Sequence, residues 1–137
     1  MATEIAEGGQ AALDAVKRMR DESLPPGERY DPGFVDHDPA AGQPAGPGGM
    51  AWFWRQFGKS FSDIERDVIE TIVTPTHLTT IMNLSGTHTG EYLGHAPTGK
   101  RFTVRNVQVI GFKDGRASDR WGSTDELGIL QQLGLAP

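Results

Sequence analysis

The sequence predicts an α+β fold, with helices first and a run of antiparallel strands after them. Three observations carry this. Apolar residues recur at helical spacing in two segments before residue 62. From residue 64 onward the chain turns rich in β-branched residues and reads as strands. Asp114-Gly115 sits between two such runs as a hairpin turn.

The elements follow in order. Ala12, Leu13, Val16 and Met19 recur near helical spacing, with Asp14, Lys17, Arg18 and Asp21 on other faces, so residues 10–20 form an amphipathic helix that ends before Pro25-Pro26. Proline suits a first helical position, so a short second helical turn starts at Pro25. Residues 25–49 hold six prolines and six glycines and read as mostly irregular. Phe34-Val35-Asp36-His37 is a short extended exception, and residues 40–49 read as a loop over a pocket mouth. Met50, Phe53, Trp54, Phe57 and Phe61 then line one broad helical face, with Trp52 off it.

Strands are expected over residues 64–73, 78–89, 100–113 and 116–122. Ser123-Thr124-Asp125-Glu126 reads as a capping box with Ser123 as cap. The closing helix spans residues 124–133, and Gly134 suits its C′ position.

Composition bounds the function. A chain of 137 residues is expected to be a single domain, 1–137, able to bury a core. It has no cysteine, which excludes disulfides and thiolate metal sites. A net charge of −5 argues against nucleic acid as partner. No apolar run approaches the roughly 20 residues of a membrane span. Residues 1–10 lack the charged and apolar regions of a signal peptide, so a cytoplasmic protein is expected.

Several motifs fail on inspection. Gly58-Lys59-Ser60 ends like a phosphate-binding loop, but Phe53 stands where the first glycine belongs. Asn83-Leu84-Ser85 matches a glycosylation sequon only in mid-strand. His37, His77, His88 and His95 have no ligand-pair spacing, so no metal site is expected. No nucleophile elbow is present.

Strand parity points to a pocket. Side chains alternate faces along a strand. Phe102, Val104, Asn106, Gln108 and Ile110 therefore share one face of residues 100–113, and Thr103, Arg105, Val107 and Val109 the other. Asn106 and Gln108 are two amides on an otherwise apolar face. They either pair with neighbouring strands or line a cavity and grip ligand oxygens. Trp54 and Phe57 are core residues that can double as a ligand platform where a cavity abuts the core. His88 precedes a glycine-flanked turn and reads as either a local hydrogen-bonding residue or a substrate contact.

An ordered series in the second half carries a resemblance. Gly86-Thr87-His88-Thr89-Gly90-Glu91 is followed by Pro97-Thr98-Gly99-Lys100, Asp114-Gly115-Arg116, Trp121 and the run from Asp125-Glu126-Leu127-Gly128 to Gln131-Gln132-Leu133-Gly134. It resembles the SnoaL-like polyketide cyclase family, over most of the chain from about Phe34. The resemblance implies the cone-shaped nuclear-transport-factor-2-like fold: a strongly curved, mainly antiparallel sheet wrapped around N-terminal helices, with an internal pocket. It implies polar pocket residues at Asn106 and Gln108, and a homodimer.

The family's cyclases carry an acid/base aspartate immediately after the Trp121 position, where this chain has Gly122. Two residues before it, where histidine is common, stands Arg120. Parity turns Arg120 inward, where a guanidinium needs a carboxylate such as Asp36 or Asp125. Asp125 can equally serve as helix N-terminal charge, and Asp36 and His37 as a solvated rim. A carboxylate introduced by Gly122→Asp is expected to fit sterically.

The expectation is a cofactor-independent cyclase closing a ring in a polyketide-like, oxygenated hydrophobic substrate. Arg120, Asp36 and His37 are its catalytic candidates. Asn106, Gln108, His88, Trp54, Phe57 and Trp121 are its substrate-binding candidates. The alternatives are a non-catalytic binding or scaffold protein of the same fold and, less favoured, epoxide opening through Ser118-Asp119-Arg120. In residues 64–73, Ile64, Val68 and Ile72 are expected on one face and Ile69 and Val73 on the other. With Val107 and Val109 they suggest an apolar outer face that pairs in a homodimer.

Overall fold

The computed structural model describes residues 2–5 and 9–136. Residues 1 and 6–8, part of the segment read above for leader character, lie outside the described residues. The chain begins with β1 (Ala2–Ile5), a strand that sequence reading missed. Helix α1 (Gln10–Arg20) buries Ala12, Ala15 and Val16 and ends in Lys17, Arg18 and Arg20, whose charge suits a helix C-terminus. The turn α2 (Pro26–Arg29) follows, with Pro25 as its cap. Strand β2 (Tyr30–Asp36) contains the expected extended piece.

Helix α3 (Gly49–Ser60) carries the aromatic face. Phe61 was expected to continue that helix, but its backbone is extended, at φ −129° and ψ 141°, and opens the next strand. It stays in the aromatic cluster all the same, 4.7 Å from Phe57 between ring centroids.

The remaining strands are β3 (Phe61–Val73), β4 (His77–His88), β5 (Arg101–Lys113) and β6 (Arg116–Thr124), and α4 (Glu126–Gln132) closes the chain. Asp114 and Gly115 both have positive φ, 51° and 77°, the conformation that a two-residue hairpin of matching twist demands. The capping expectation is corrected at one position. Ser123 and Thr124 still pair with β5, opposite Val107 and Asn106, so the strand runs two residues further than expected. Asp125 is the cap instead, its Oδ1 accepting from Gly128 N at 2.8 Å.

All six strands form one strongly curved mixed sheet in the order β1-β3-β4-β5-β6-β2. The two edge strands pair in parallel, β1 with β3 and β2 with β6, and the inner pairs are antiparallel. The concave face holds the core. Phe57, Phe61, Leu84, Phe102, Val104, Ile129 and Leu133 form its largest cluster, where α3 and α4 meet the sheet. Ala12 and Val16 of α1 pack on Val73 and Leu78, and Phe34, Ile110 and Ala117 form a third group.

Parity holds on β5: Phe102, Val104, Asn106 and Ile110 are all buried, while Thr103 and Arg105 are exposed. On β3 it fails. Residues directly opposite across a ladder point to the same face. Val68 lies opposite buried Met82 and Val73 opposite buried Leu78, so both face inward. Ile72 lies opposite Thr79 and is 39% exposed, so it faces outward, against the expected grouping. The cause is a register shift between Val68 and Glu70 that inserts Ile69 and flips every later side chain.

Candidate functional site

The site forms where β2 pairs with β6. Opposite Gln108 lies Gly122 and opposite Ile110 lies Arg120, so both β6 residues face the concave side. The parallel register sets Asp36 beside Arg120. Arg120 Nη1 donates to both oxygens of Asp36, at 3.2 and 3.3 Å, and the two side chains are only 11% and 6% exposed. Burying these charges is costly unless they pair, and here they pair. Arg120 Nε donates to Gln108 Oε1 at 3.0 Å and Nη1 to the Asp38 carbonyl at 3.2 Å.

The loop after β2 folds back on this group. Asp36 also accepts from Gln43 Nε2 at 2.9 Å and from Asp38 N at 3.0 Å. Gly122 N donates to Asp38 Oδ2 at 3.0 Å. The Arg120 guanidinium lies over Gly122. A Cβ built on that glycine would stand 2.7 Å from Arg120 Cζ and 3.1 Å from its Nε. The expectation that Gly122→Asp fits is therefore corrected: a side chain there requires Arg120 to move.

Cavities flank the group. One of about 690 Å³ lies between the helices and the sheet and is lined in part by Gln108, Ile110, Trp54 and Met82. Another, of about 360 Å³, is lined by Asp38, Gln43, Arg120, Gly122 and Glu126 among others. A third, of about 290 Å³, shares the lining residues Ala40, Phe53, Thr124 and Glu126 with the second. Gln108 lines the first and Arg120 the second, so their hydrogen bond stands at the partition between them.

The expected residues divide accordingly. Arg120, Asp36 and Gln108 are brought together. Asn106 is 4% exposed and donates to Thr124 Oγ1 at 2.7 Å, pairing with the neighbouring strand. Trp54 lines the large cavity, and Phe57 belongs to the core while lining the third one. His88 is fully buried; its Nδ1 accepts from Thr98 N at 3.1 Å, and its Nε2 has no partner among the described residues. It lines none of these three cavities.

The structure does not bring His37 and Trp121 to this group. Their rings stack on each other, 4.6 Å apart and 4° from parallel, and His37 Nε2 lies 2.9 Å from Asp119 Oδ1. Asp119 and Trp121 alternate with Arg120 and Gly122, and so occupy the outer face. That hydrogen bond from His37, then one from Ser118, holds the Asp119 carboxyl below its usual range. Asp125 caps α4 rather than meeting Arg120.

Sequence reasoning did not place Asp38, Gln43, Glu126 or Tyr92 among the site residues. The first two sit in the Pro/Gly-rich stretch, where no periodicity marks direction. Glu126 was read only as a capping residue. Tyr92 lines the third cavity, and burial, then the nearby Glu126, pushes its phenol up to about 12. Among the described residues no group of three or more His, Asp or Glu side chains is placed to hold a metal. No described helix is long and apolar enough to cross a membrane.

A curved sheet wrapped on helices around interior cavities, with buried polar groups converging on them, is the architecture of a small-molecule site. Residues 11–133 match the sequence model of the SnoaL-like polyketide cyclases, and the chain belongs to that family. The aklanonic acid methyl ester cyclase DnrD of Streptomyces peucetius is 28% identical over 108 residues, 78% of this chain and 72% of the relative.

Solved structures share the fold. A Bacillus cereus ATCC 10987 protein described as a polyketide cyclase superposes with a TM-score of 0.78 at 23% identity, covering 99% of this chain and 92% of that one. A Jannaschia protein described as a SnoaL-like polyketide cyclase gives 0.75 at 22%, covering 96% and 97%. TsrD of Streptomyces laurentii gives 0.73 at 22%, covering 92% and 96%.

Proposed function

We propose that this protein is a cofactor-independent cyclase of a polyketide-like small molecule, acting by an intramolecular aldol-type ring closure. The observation that carries the reading is the Arg120–Asp36 pair, set over Gly122 where the family's cyclases carry their acid/base aspartate. A base takes a proton from a methylene between two carbonyls. The resulting enolate carbon attacks a ketone carbon folded against it, forming the ring bond. The ketone oxygen becomes an alkoxide and receives a proton. Atoms balance without redox, so product and substrate have the same mass.

Arg120 supplies positive charge to the enolate or alkoxide oxygen, and Gln108 orients it. Asp38 fits proton transfer better than Asp36 does. One of its oxygens takes Gly122 N–H, it lines the cavity beside Arg120, and its other oxygen has no hydrogen-bond partner among the described residues. Asp36 is committed to Arg120 and Gln43. His37 would need to leave its stack on Trp121. Folding the substrate between the helices and the sheet supplies much of the remaining rate gain.

A second reading is a non-catalytic binding protein. It is favoured by the full engagement of Arg120 with Asp36, Gln108 and the Asp38 carbonyl. Epoxide opening is disfavoured, because Asp119 faces outward with His37. We also propose a homodimer through the outer sheet face and a cytoplasmic setting.

The test is ring closure of aklanonic acid methyl ester, the compound in the name of the Streptomyces peucetius relative, and of its free acid, followed by chromatography as conversion of either to an isomer of equal mass. Conversion above the buffer rate supports the cyclase. Binding without conversion supports the second reading.

A further inference from the structure

The large cavity carries a charge that the proposed ring closure does not use. The chain has a formal net charge of −5, yet Arg20, Arg29, Arg55 and Arg66 all line this one cavity, with Glu22 as the sole acid among its lining residues. None of the four makes an ion pair among the described residues.

Arg66 is the most telling. It sits on β3 opposite buried Leu84, between the two register shifts, and so projects to the concave side. Its guanidinium lies 3.9 Å from the Trp54 ring centroid. Stacking satisfies the face of a guanidinium but leaves its in-plane N–H groups free for a carboxylate. Partial burial lowers the Arg66 pKa from its ordinary value, while the residue stays exposed enough for its N–H groups to be reached from the cavity mouth.

Arg29 gives an independent sign. Its Nη1 donates to the Met19 carbonyl at 3.2 Å, but its Nε is buried without a partner. Asp21, outside the lining, is held below its ordinary value chiefly by hydrogen bonds from Ser23, with the Arg29 charge the least of the causes. Tyr30 stands beside it, its phenol held protonated by burial, with Arg29 opposing that shift. Buried donors find a partner in protein, water or ligand, and the Arg29 Nε faces a cavity that can hold one. Beside Gln108 and Tyr30, the wall carries an apolar stretch of Met19, Phe34, Met50, Met82 and Ile110.

We propose that the large cavity binds a substrate with an apolar, ring-bearing body and a free carboxylate, the carboxylate meeting Arg66 on Trp54 with the other arginines around it. This rests on the small-molecule reading above and sharpens it, since it predicts that a free acid is held more tightly than its neutral ester. A charge-assisted, two-pronged contact is the stronger kind and is lost when the acid is esterified.

The test compares anthraquinone-2-carboxylate with its methyl ester, by calorimetry at pH 7. The wild type should bind the acid at least tenfold more tightly, and added KCl should weaken the acid but not the ester. Arg66→Met should reduce the preference for the acid by tenfold or more, with the ester unaffected, and Arg66→Lys should restore part of it. Equal affinity for acid and ester in the wild type, or binding of neither at millimolar concentration, overturns the proposal. So does a folded Arg66→Met protein that keeps the full preference. Should Arg66→Met not fold, the wild-type salt dependence decides alone. A protein that prefers the acid yet closes no ring upholds this proposal and removes the cyclase reading.

Discussion

The guanidinium of Arg120 lies over the Cα of Gly122, two residues along the same strand and on the same face. A Cβ at Gly122 would stand 2.7 Å from Arg120 Cζ. Arg120 is held there from three sides by Asp36, Gln108 and the Asp38 carbonyl. The glycine is thus what allows a paired arginine where the family's cyclases place an aspartate.

This relationship makes a double-mutant prediction. Gly122→Ala should destabilise the wild type by about 1–3 kcal/mol, because it forces a pinned side chain to shift. With Arg120→Ala in place the clash is gone, and the same change should become neutral or stabilise by up to about 1 kcal/mol through the unfolded chain. Urea midpoints of the four proteins measure this. Equal effects of Gly122→Ala in both backgrounds would show that the guanidinium does not occupy that space.

Removing Arg120 alone leaves Asp36 buried without its cation. Arg120→Met should cost about 3 kcal/mol of stability. Asp36→Asn in the same chain should recover part of that loss, since the stranded charge disappears. Thermal unfolding at fixed pH reads the coupling, and strictly additive losses would contradict the pairing.

Tyr92 sets an alkaline limit. Its phenol is pushed up to about 12 in the folded chain, from an ordinary value of 10.0. The folded state therefore holds the proton after the unfolded state has released it. The associated stability is fully present below pH 10 and drains away as pH rises toward 12. Allowing for partial solvent exposure, the loss is no more than about 2 kcal/mol. Tyr92→Phe keeps the ring packed 4.8 Å from Phe61, and should flatten that part of the stability curve. A curve unchanged by the substitution would place the alkaline loss elsewhere.

The outer sheet face carries Ile72, Val107 and Trp121, each at least 36% exposed. Ile72, Thr79, Val109 and Trp121 align in one row across four strands. An apolar band of this kind favours pairing with a second copy. Light scattering at micromolar concentration should give a dimer, and Val107→Asp a monomer. A wild-type monomer would refute the homodimer.

Legibility followed regularity. The aromatic face of α3 and the alternation of β5 could be read because each keeps one period almost throughout. The inward placement of Arg120 followed from the same alternation on β6. On β3 one extra residue at Ile69 inverted the face of Ile72, and a bulge leaves no mark in a run of β-branched residues. Ser123 looked like a cap because capping residues and strand residues overlap in type; only its pairing with Val107 shows that the strand continues. Asp38 and Gln43 were hidden because a loop has no period to aim a side chain. His37 follows the strand, and only the fold reveals its stack on Trp121.

In the proposed ring closure the Arg120 cation, steadied by Asp36 and Gln108, stabilises the developing oxygen charge. The most direct measurement is kcat/KM for closure of an activated methylene onto a ketone, in wild type and in Arg120→Met. Arg120→Met should lose about 2–4 kcal/mol of transition-state stabilisation while still folded by circular dichroism. A folded Arg120→Met protein that turns over as the wild type does would contradict it.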